Sequence, residues 1–92
     1  MIYFYALTYD EEFSPGMVFY VGQTIDKQQR LSGHKRTYGK NCVLHEIDAV
    51  ECNEIMAAAR EQYYINYFRE LNGKDSLHNK NNPSKYAVWA PP

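Results

Sequence analysis

The sequence has few of the features that define several classes of small protein. Its 92 residues include only two cysteines, Cys42 and Cys52, with no CxxC pair, so free thiols in a reducing compartment are expected rather than a disulfide scaffold. The three histidines show no zinc-ligand spacing. No run of about 18 apolar residues occurs, and the first residues have neither the basic nor the apolar region of a signal peptide. We therefore expect no membrane span and a cytoplasmic protein.

Net charge is also low. A formal charge of −1 argues against a protein that coats nucleic acid without regard to sequence. The distribution is uneven, since residues 25–40 hold five cations against Asp26 alone, a local balance of +4 that leaves −5 for the remainder. A confined basic patch on an acidic body favours a local anionic contact, although a solvated helix face explains the same pattern. The five cations are Lys27, Arg30, Lys35, Arg36 and Lys40.

Hydrophobic patterning predicts five elements in the order β-β-α-β-α. Residues 2–8 and 17–23 are aromatic and aliphatic and predict two strands joined as a hairpin, and residues 41–50 predict a third strand. Thr24 or Asp26 can cap a helix that runs to about Tyr38 and ends at Gly39. Asn53 can cap a second helix over about 54–71, which Asn72-Gly73 ends. We expect one α/β (α+β) domain over residues 1–92, with a three-stranded, mostly antiparallel sheet and flanking helices.

Glu61 is the clearest anomaly on the second helix. Residues three, four and seven positions away from it are apolar or aromatic, which places its carboxylate in the stripe that should face the sheet. A carboxylate there costs several kcal/mol unless it is paired or binds a cation. It could pair with a buried Arg or a Tyr hydroxyl and hold the packing together, or it could be a metal ligand at the floor of a cleft.

The first helix and the hairpin place other chemically capable residues near one another. Arg30 and His34 are four residues apart and share one helix face. Tyr3 falls on one face of the first strand, and Tyr20 shares a face of the second strand with Gly22. If the strands pair near their middles, Tyr3 lies close to Gly22, where the missing side chain lets another group approach the backbone. Core filling explains some of the nine tyrosines equally well.

These residues occur in an order that resembles the GIY-YIG nuclease superfamily over roughly residues 1–82. The segment MIYFYAL resembles the GIY strand, and FYVGQT resembles the YIG strand, with Arg30 following Gly22 by eight residues and His34 following Arg30 by four. The segment AREQYYINYFREL resembles the helix that carries the family's metal-binding Glu, here Glu61, and LHNKNNP resembles its Leu-x-Asn ending. Met1 stands in place of the first glycine of the motif, and YIG is YVG. We expect no appended DNA-reading domain.

The resemblance implies a metal-dependent endonuclease that hydrolyses phosphodiester bonds in DNA with a single divalent cation, Mg²⁺ or Mn²⁺, held by Glu61. Arg30 would bind a phosphate through two parallel hydrogen bonds. Tyr3 or Tyr20 would be the base, with Tyr3 preferred and Tyr20 positioning the phosphate, and His34 would orient the tyrosine or relay its proton. Asn79 would fix the geometry, with Asn81 and Asn82 as alternatives. The remaining cations of the basic patch would contact DNA: Lys27, Lys35, Arg36 and Lys40.

Two other functions fit the same residues. The fold could serve as a catalytically weak adaptor for nucleic acid or protein, which the low net charge favours and an acidic residue on an apolar face opposes. A small protein-interaction domain with AVWAPP as a docking tail is a third hypothesis. As a nuclease, so weakly charged a domain would need a homodimer or a larger partner to hold its substrate, and its small size suggests a phage or mobile-element protein acting in a bacterial host cell.

Overall fold

The computed structural model describes residues 1–79, and within them the chain forms a three-stranded sheet with two long helices. The strands are β1 (Ile2–Thr8), β2 (Tyr20–Thr24) and β3 (Val43–Val50), and the long helices are α1 (Lys27–Tyr38) and α2 (Glu54–Asn72). The sheet order is β2-β1-β3, and both pairings are antiparallel. The predicted α+β fold and its β-β-α-β-α order are confirmed. No helix in this range combines the length and apolarity needed to cross a bilayer.

The predicted helix ends are confirmed together with their caps. Asp26 accepts a hydrogen bond from the backbone amide of Gln29, and the Asn53 side chain does the same for Met56, so each satisfies one amide of the first helical turn. Gly39 and Gly73 end the two helices with φ of 104° and 107°. A side chain at either position would strain the backbone, which explains why both helices end at a glycine.

The hairpin register differs from the prediction. Tyr3 was expected opposite Gly22, but Tyr5 faces Gly22 and Tyr3 faces Thr24. The cause is the connection between the strands, because residues Pro15–Met17 form a short 3₁₀ turn and β2 begins at Tyr20 instead of Met17. The offset is two residues, so the same side chains still face the same side of the sheet.

Each face of the sheet carries its own core. On one face, Tyr5, Leu7, Phe19 and Cys42 form a buried cluster against which Leu31 and Tyr38 of α1 pack. On the other face, α2 contributes to a second cluster: Ala6, Val18, Val21, Ile65, Phe68 and Leu77. The strands β1 and β2 therefore lie between the two helices. Side chains from both helices can meet where these two strands end.

The chain beyond α2 returns to the free edge of β2. The His78 amide donates to the Phe19 carbonyl at 2.6 Å. One residue later, the Asn79 side chain donates to the Val21 carbonyl at 2.6 Å and accepts from the Val21 amide at 3.0 Å. The Phe19 carbonyl and both backbone groups of Val21 at this sheet edge are thereby satisfied by residues 78 and 79.

Candidate active site

A buried phenol–imidazole pair lies at the centre of the candidate site. The hydroxyl of Tyr5 is 2.7 Å from Nε2 of His34, which joins β1 to α1. Tyr5 is 1% exposed, and His34 is the buried residue of α1. Gly22 makes room for the pair, because a Cβ at that position would lie 2.4 Å from the Tyr5 hydroxyl oxygen. The glycine that was expected to admit a close approach therefore admits Tyr5.

Tyr20 completes this group of rings. Its ring is stacked with that of Tyr5 at a centroid separation of 6.3 Å and lies 4.7 Å from the ring of His34. Tyr38, at the end of α1, adds a further ring 6.0 Å from Tyr20 and 5.8 Å from His34. Two phenols from adjacent strands thus meet an imidazole from the helix that packs over them.

Glu61 reaches the same place from α2. It lines a cavity of about 430 Å³ together with Tyr20, His34 and Asn79. A second cavity of about 490 Å³ contains Arg30 and shares the walls formed by His34 and Thr37 with the first. The carboxylate, the guanidinium and the imidazole therefore open onto two adjoining cavities that run along one face of α1.

The electrostatics of the group agree with this convergence. Burial raises the pKa of Glu61, and hydrogen bonding from the Gln23 side chain and the charge of Arg30 oppose that shift. Burial also raises the pKa of both Tyr5 and Tyr20; the Glu61 carboxylate raises them further, and Arg30 lowers them. One cation and one anion thus act on the same two phenols.

The surroundings of His34 favour its neutral form. Burial, followed by the positive charge of Arg30, lowers its pKa below the ordinary value of 6.5. A neutral imidazole protonated at Nδ1 has a free lone pair on Nε2. In that tautomer the Tyr5 hydroxyl donates its proton to His34.

Asn79 fixes the wall of the cavity through β2. Its two hydrogen bonds go to the backbone of Val21, the residue between Tyr20 and Gly22. We expected Asn79 to hold the geometry by hydrogen bonds to backbone or phosphate, and in the structure its partners are backbone groups. Asn81 and Asn82 lie outside the described residues.

Tyr3 is not part of this group. Its ring lies under the Lys27 ammonium at 4.5 Å, and Lys27 in turn pairs with Glu46 on β3. Tyr5 occupies the position that we had assigned to Tyr3, as the two-residue register offset requires. The structure therefore brings together five of the six expected catalytic residues, which are Tyr20, Arg30, His34, Glu61 and Asn79.

The expected DNA-contacting cations are spread over different parts of the surface. Lys27 is engaged with Glu46, and both side chains are about 40% exposed. Lys35 and Lys40 border a separate surface depression beside Cys42. Arg36 is exposed on α1. Within the basic patch, Arg30 lines the cavity that adjoins the one containing Glu61.

The acidic residue of the cavity fits a hard cation that keeps most of its water. Within residues 1–79, no three or more His, Cys, Asp or Glu side chains are grouped as a metal site. A single carboxylate with partly open surroundings is a donor set that suits Mg²⁺, which binds few protein oxygens and dehydrates reluctantly. Burial raises the pKa of Glu61, and a bound cation would stabilise the charged carboxylate that burial disfavours.

Three residues of the site were missed in the sequence. Tyr5 and Tyr3 are two residues apart and lie on the same face of β1, so strand periodicity cannot distinguish them. Gln23 and His78 come from a strand end and from an irregular segment, where no periodic pattern applies. The signal that could have identified Tyr5 is Gly22, which needs a large partner directly opposite in the hairpin.

The assignment of the site rests on its own geometry, because no protein-family model, no curated protein and no solved structure matches the chain.

Proposed function

We propose that the protein is a metal-dependent endonuclease of the GIY-YIG type that hydrolyses phosphodiester bonds in DNA. The observation that carries the proposal is that His34, bonded to the buried Tyr5 hydroxyl, lines two adjoining cavities, one of which also contains Glu61 and the other Arg30. Phosphodiester hydrolysis needs an activated water, cationic groups for the phosphoryl oxygens and stabilisation of the leaving oxygen. The four side chains supply group types suited to each of these tasks.

Tyr5 and His34 form the proton relay of the proposed reaction. Burial disfavours the Tyr5 phenolate, so Tyr5 serves as a neutral relay rather than as a preformed base. In the proposed step the attacking water enters beside His34, which lines both cavities, and the buried Tyr5 hydroxyl accepts its proton while the Tyr5 hydroxyl proton passes to Nε2 of His34. The neutral imidazole has the lone pair that this transfer requires, and it ends the step as an imidazolium next to the Glu61 carboxylate's cavity.

Arg30 and Tyr20 bind the phosphate. The Arg30 side chain is exposed and makes no ion pair within residues 1–79, so its donors are available to an anion. A guanidinium can donate two parallel hydrogen bonds to phosphate oxygens. Loss of such a donor costs about 3 kcal/mol in the transition state, or about 10²–10³ in rate. Tyr20 positions the phosphate from the adjoining cavity.

Glu61 holds the divalent cation, Mg²⁺ or Mn²⁺. When bound, the cation supplies Lewis-acid polarisation of a phosphoryl oxygen and stabilises the departing oxygen. The contribution of Glu61 itself is a carboxylate whose desolvation is partly offset by Gln23 and Arg30. The same desolvation favours binding of a cation, because the cation restores the solvation that the carboxylate lacks.

The activity is tested by incubating supercoiled plasmid and branched DNA with the protein, in Mg²⁺ and in chelator. We expect nicking that requires the metal, is lost in Glu61→Gln and is kept in Glu70→Gln, a matched control on the exposed side of α2. Equal nicking by Glu61→Gln would contradict the proposal. DNA binding by the wild type without any cleavage would favour the adaptor function instead.

A second pair of variants tests which tyrosine acts. Tyr5→Phe removes the hydroxyl that bonds His34, whereas Tyr3→Phe removes a hydroxyl from a ring beneath Lys27. We expect Tyr5→Phe to lower kcat by about 10²–10⁴, the range of a lost general acid–base group, and Tyr3→Phe to leave it within a small factor. The reverse result would restore Tyr3 as the base and refute the relay.

A further inference from the structure

The cavity that contains Glu61 extends beyond the groups needed for hydrolysis. Its far end is lined by the rings of Tyr38 and His78, whose centroids are 5.7 Å apart with planes inclined at 57°. Tyr20 and His34 continue this wall towards the Tyr5–His34 pair. An arc of four rings thus runs from the centre of the candidate site to its edge. Two of these rings, Tyr38 and His78, have no role in binding a phosphate or a hydrated cation.

His78 is fixed in place without serving the core. Its backbone amide donates to the Phe19 carbonyl, and the next residue is held to Val21 by two hydrogen bonds. Its ring remains exposed and, within residues 1–79, its aromatic neighbours are Phe19 and Tyr38. A fixed, exposed ring that borders a cavity is preorganised to stack with a planar ligand.

The charge distribution points to the nature of that ligand. Phosphate contacts normally supply most of the affinity of a protein for duplex DNA. Here the net charge is −1, the Lys27 cation is engaged with Glu46, and Arg30 is the cation of the basic patch that lines the adjoining cavity. Stacking of a base on an aromatic side chain contributes comparable affinity without further cations, and it requires an unpaired base.

We infer that the Tyr38–His78 end of the cavity stacks an unpaired nucleobase next to the phosphate that is cleaved. This inference rests on the proposed function, and it identifies the substrate class as DNA with a single-stranded or unstacked nucleotide at the cleavage site. The cavity volume of about 430 Å³ lies within the range of small-molecule sites and accommodates one base beside the phosphate. A continuous duplex keeps its bases in the stack and leaves these rings unused.

The test measures binding without cleavage. A single-stranded deoxyoligonucleotide of about 12 nucleotides, within the usual footprint of single-strand binders, carries 2-aminopurine in its centre and is titrated with the full chain in EDTA. We expect quenching of the 2-aminopurine fluorescence by the wild type and weaker quenching of the same strand in a duplex. His78→Ala should weaken binding to the single strand by about fivefold or more, the effect of losing one stacking partner.

Tyr67→Ala is the matched control, because Tyr67 is an aromatic residue of α2 that is 49% exposed and does not line the cavity. It should bind the single strand like the wild type. Since His78 lies outside the core clusters, we expect His78→Ala to keep the fold. The circular dichroism spectrum of the variant checks this. Identical affinities of His78→Ala and wild type for the single strand would overturn the inference.

Cleavage assays separate this inference from the proposed function. Equal rates on continuous duplex and on duplex with a central gap, in Mg²⁺, would overturn the stacking site and leave the nuclease in place. Quenching that depends on His78, in a protein that cleaves neither substrate, would support the stacking site and refute the nuclease. Faster cleavage of the gapped duplex, reduced in His78→Ala and not in Tyr67→Ala, supports both.

Discussion

Gly22→Ala should destabilise the fold by displacing the Tyr5–His34 pair. A Cβ at position 22 would lie 2.4 Å from the Tyr5 hydroxyl oxygen and 2.6 Å from the ring carbon that carries it. Tyr5 is 1% exposed and has no open space to move into, so the ring must shift within the core. Overpacking of this kind costs about 1–3 kcal/mol, and loss of the buried hydrogen bond costs about 1–3 kcal/mol more. We expect a total of about 2–6 kcal/mol.

Urea unfolding followed by far-UV circular dichroism measures this cost. A domain of this size has about 5–14 kcal/mol of stability, so the unfolding midpoint should fall by a large fraction. Gly33→Ala is the matched control, since the atom nearest to its added Cβ is the Arg36 guanidinium at 4.0 Å. Gly33 is inside α1, where alanine favours the helix by about 1 kcal/mol, and this variant should be more stable than the wild type.

A double-mutant cycle determines whether the steric argument is correct. Tyr5→Phe removes the hydroxyl oxygen, the atom nearest to the added Cβ. The cost of Gly22→Ala should therefore be smaller by about 1 kcal/mol or more in the Tyr5→Phe background than in the wild type. Strictly additive costs, or a Gly22→Ala protein with an unchanged midpoint, would refute the packing that we describe.

Three further outcomes are expected. Asn79→Ala removes both hydrogen bonds to Val21, and we expect a loss of about 1–3 kcal/mol and faster hydrogen exchange at the Val21 amide than at Val43 on the opposite edge strand. Because the pKa of His34 is lowered in the fold, its contribution to stability is complete above pH 6.5 and is lost as the pH falls through 6.5 towards the folded-state value; His34→Gln should therefore show a smaller decrease in urea midpoint between pH 7.5 and pH 5 than the wild type. An identical decrease would count against a neutral, buried imidazole. The pKa of Glu61 is raised, so its ionisation destabilises the fold as the pH rises above 4.5. Glu61→Gln should therefore unfold at higher urea than the wild type at pH 7, and this advantage should shrink as the pH falls towards 4.5 and be absent below it.

Local patterns in the sequence predicted the elements because each signal is short-range. The caps Asp26 and Asn53 and the terminating glycines Gly39 and Gly73 act on the turn in which they occur, and the structure has them at those positions. The strand faces follow from alternation within a single strand. The antiparallel hairpin follows from the short connection between β1 and β2.

The register of the hairpin could not be predicted in the same way. It depends on how residues 9–19 connect the strands, and Pro15–Met17 adopts a 3₁₀ turn where the hydrophobic pattern predicted the start of a strand. An error of two residues keeps every side chain on its face, so the apolar pattern gives no warning. Tyr3 was consequently placed where Tyr5 lies.

The convergence of Glu61 with His34 depends on tertiary packing. The helical pattern placed Glu61 in the buried stripe, and the structure has it at the edge of that stripe, partly buried, next to Ala57 and Ile65 on the sheet side. The sequence allowed two environments for the Glu61 carboxylate, an internal pair with an Arg or a Tyr hydroxyl and a position at the floor of a cleft. The neighbouring Arg60 pairs with Asp48, and Glu61 lines the cavity with Tyr20. A single sequence has no signal that places Glu61 of α2 and His34 of α1 at the same cavity.

His78 and Asn79 bind the edge of β2. Because they follow both helices in the chain, this part of the cavity wall forms last during synthesis. During synthesis the N-terminal hairpin and α1 leave the ribosome first, and residues 77–79 are the last of the described segments to do so. Until Leu77 enters the core and Asn79 reaches Val21, a nascent chain has the sheet and both helices but an unfinished wall beside Glu61. A chain cut before Leu77 by a protease would have the same gap. The complete cavity wall therefore requires a chain that extends to Asn79 and has not been cut before it.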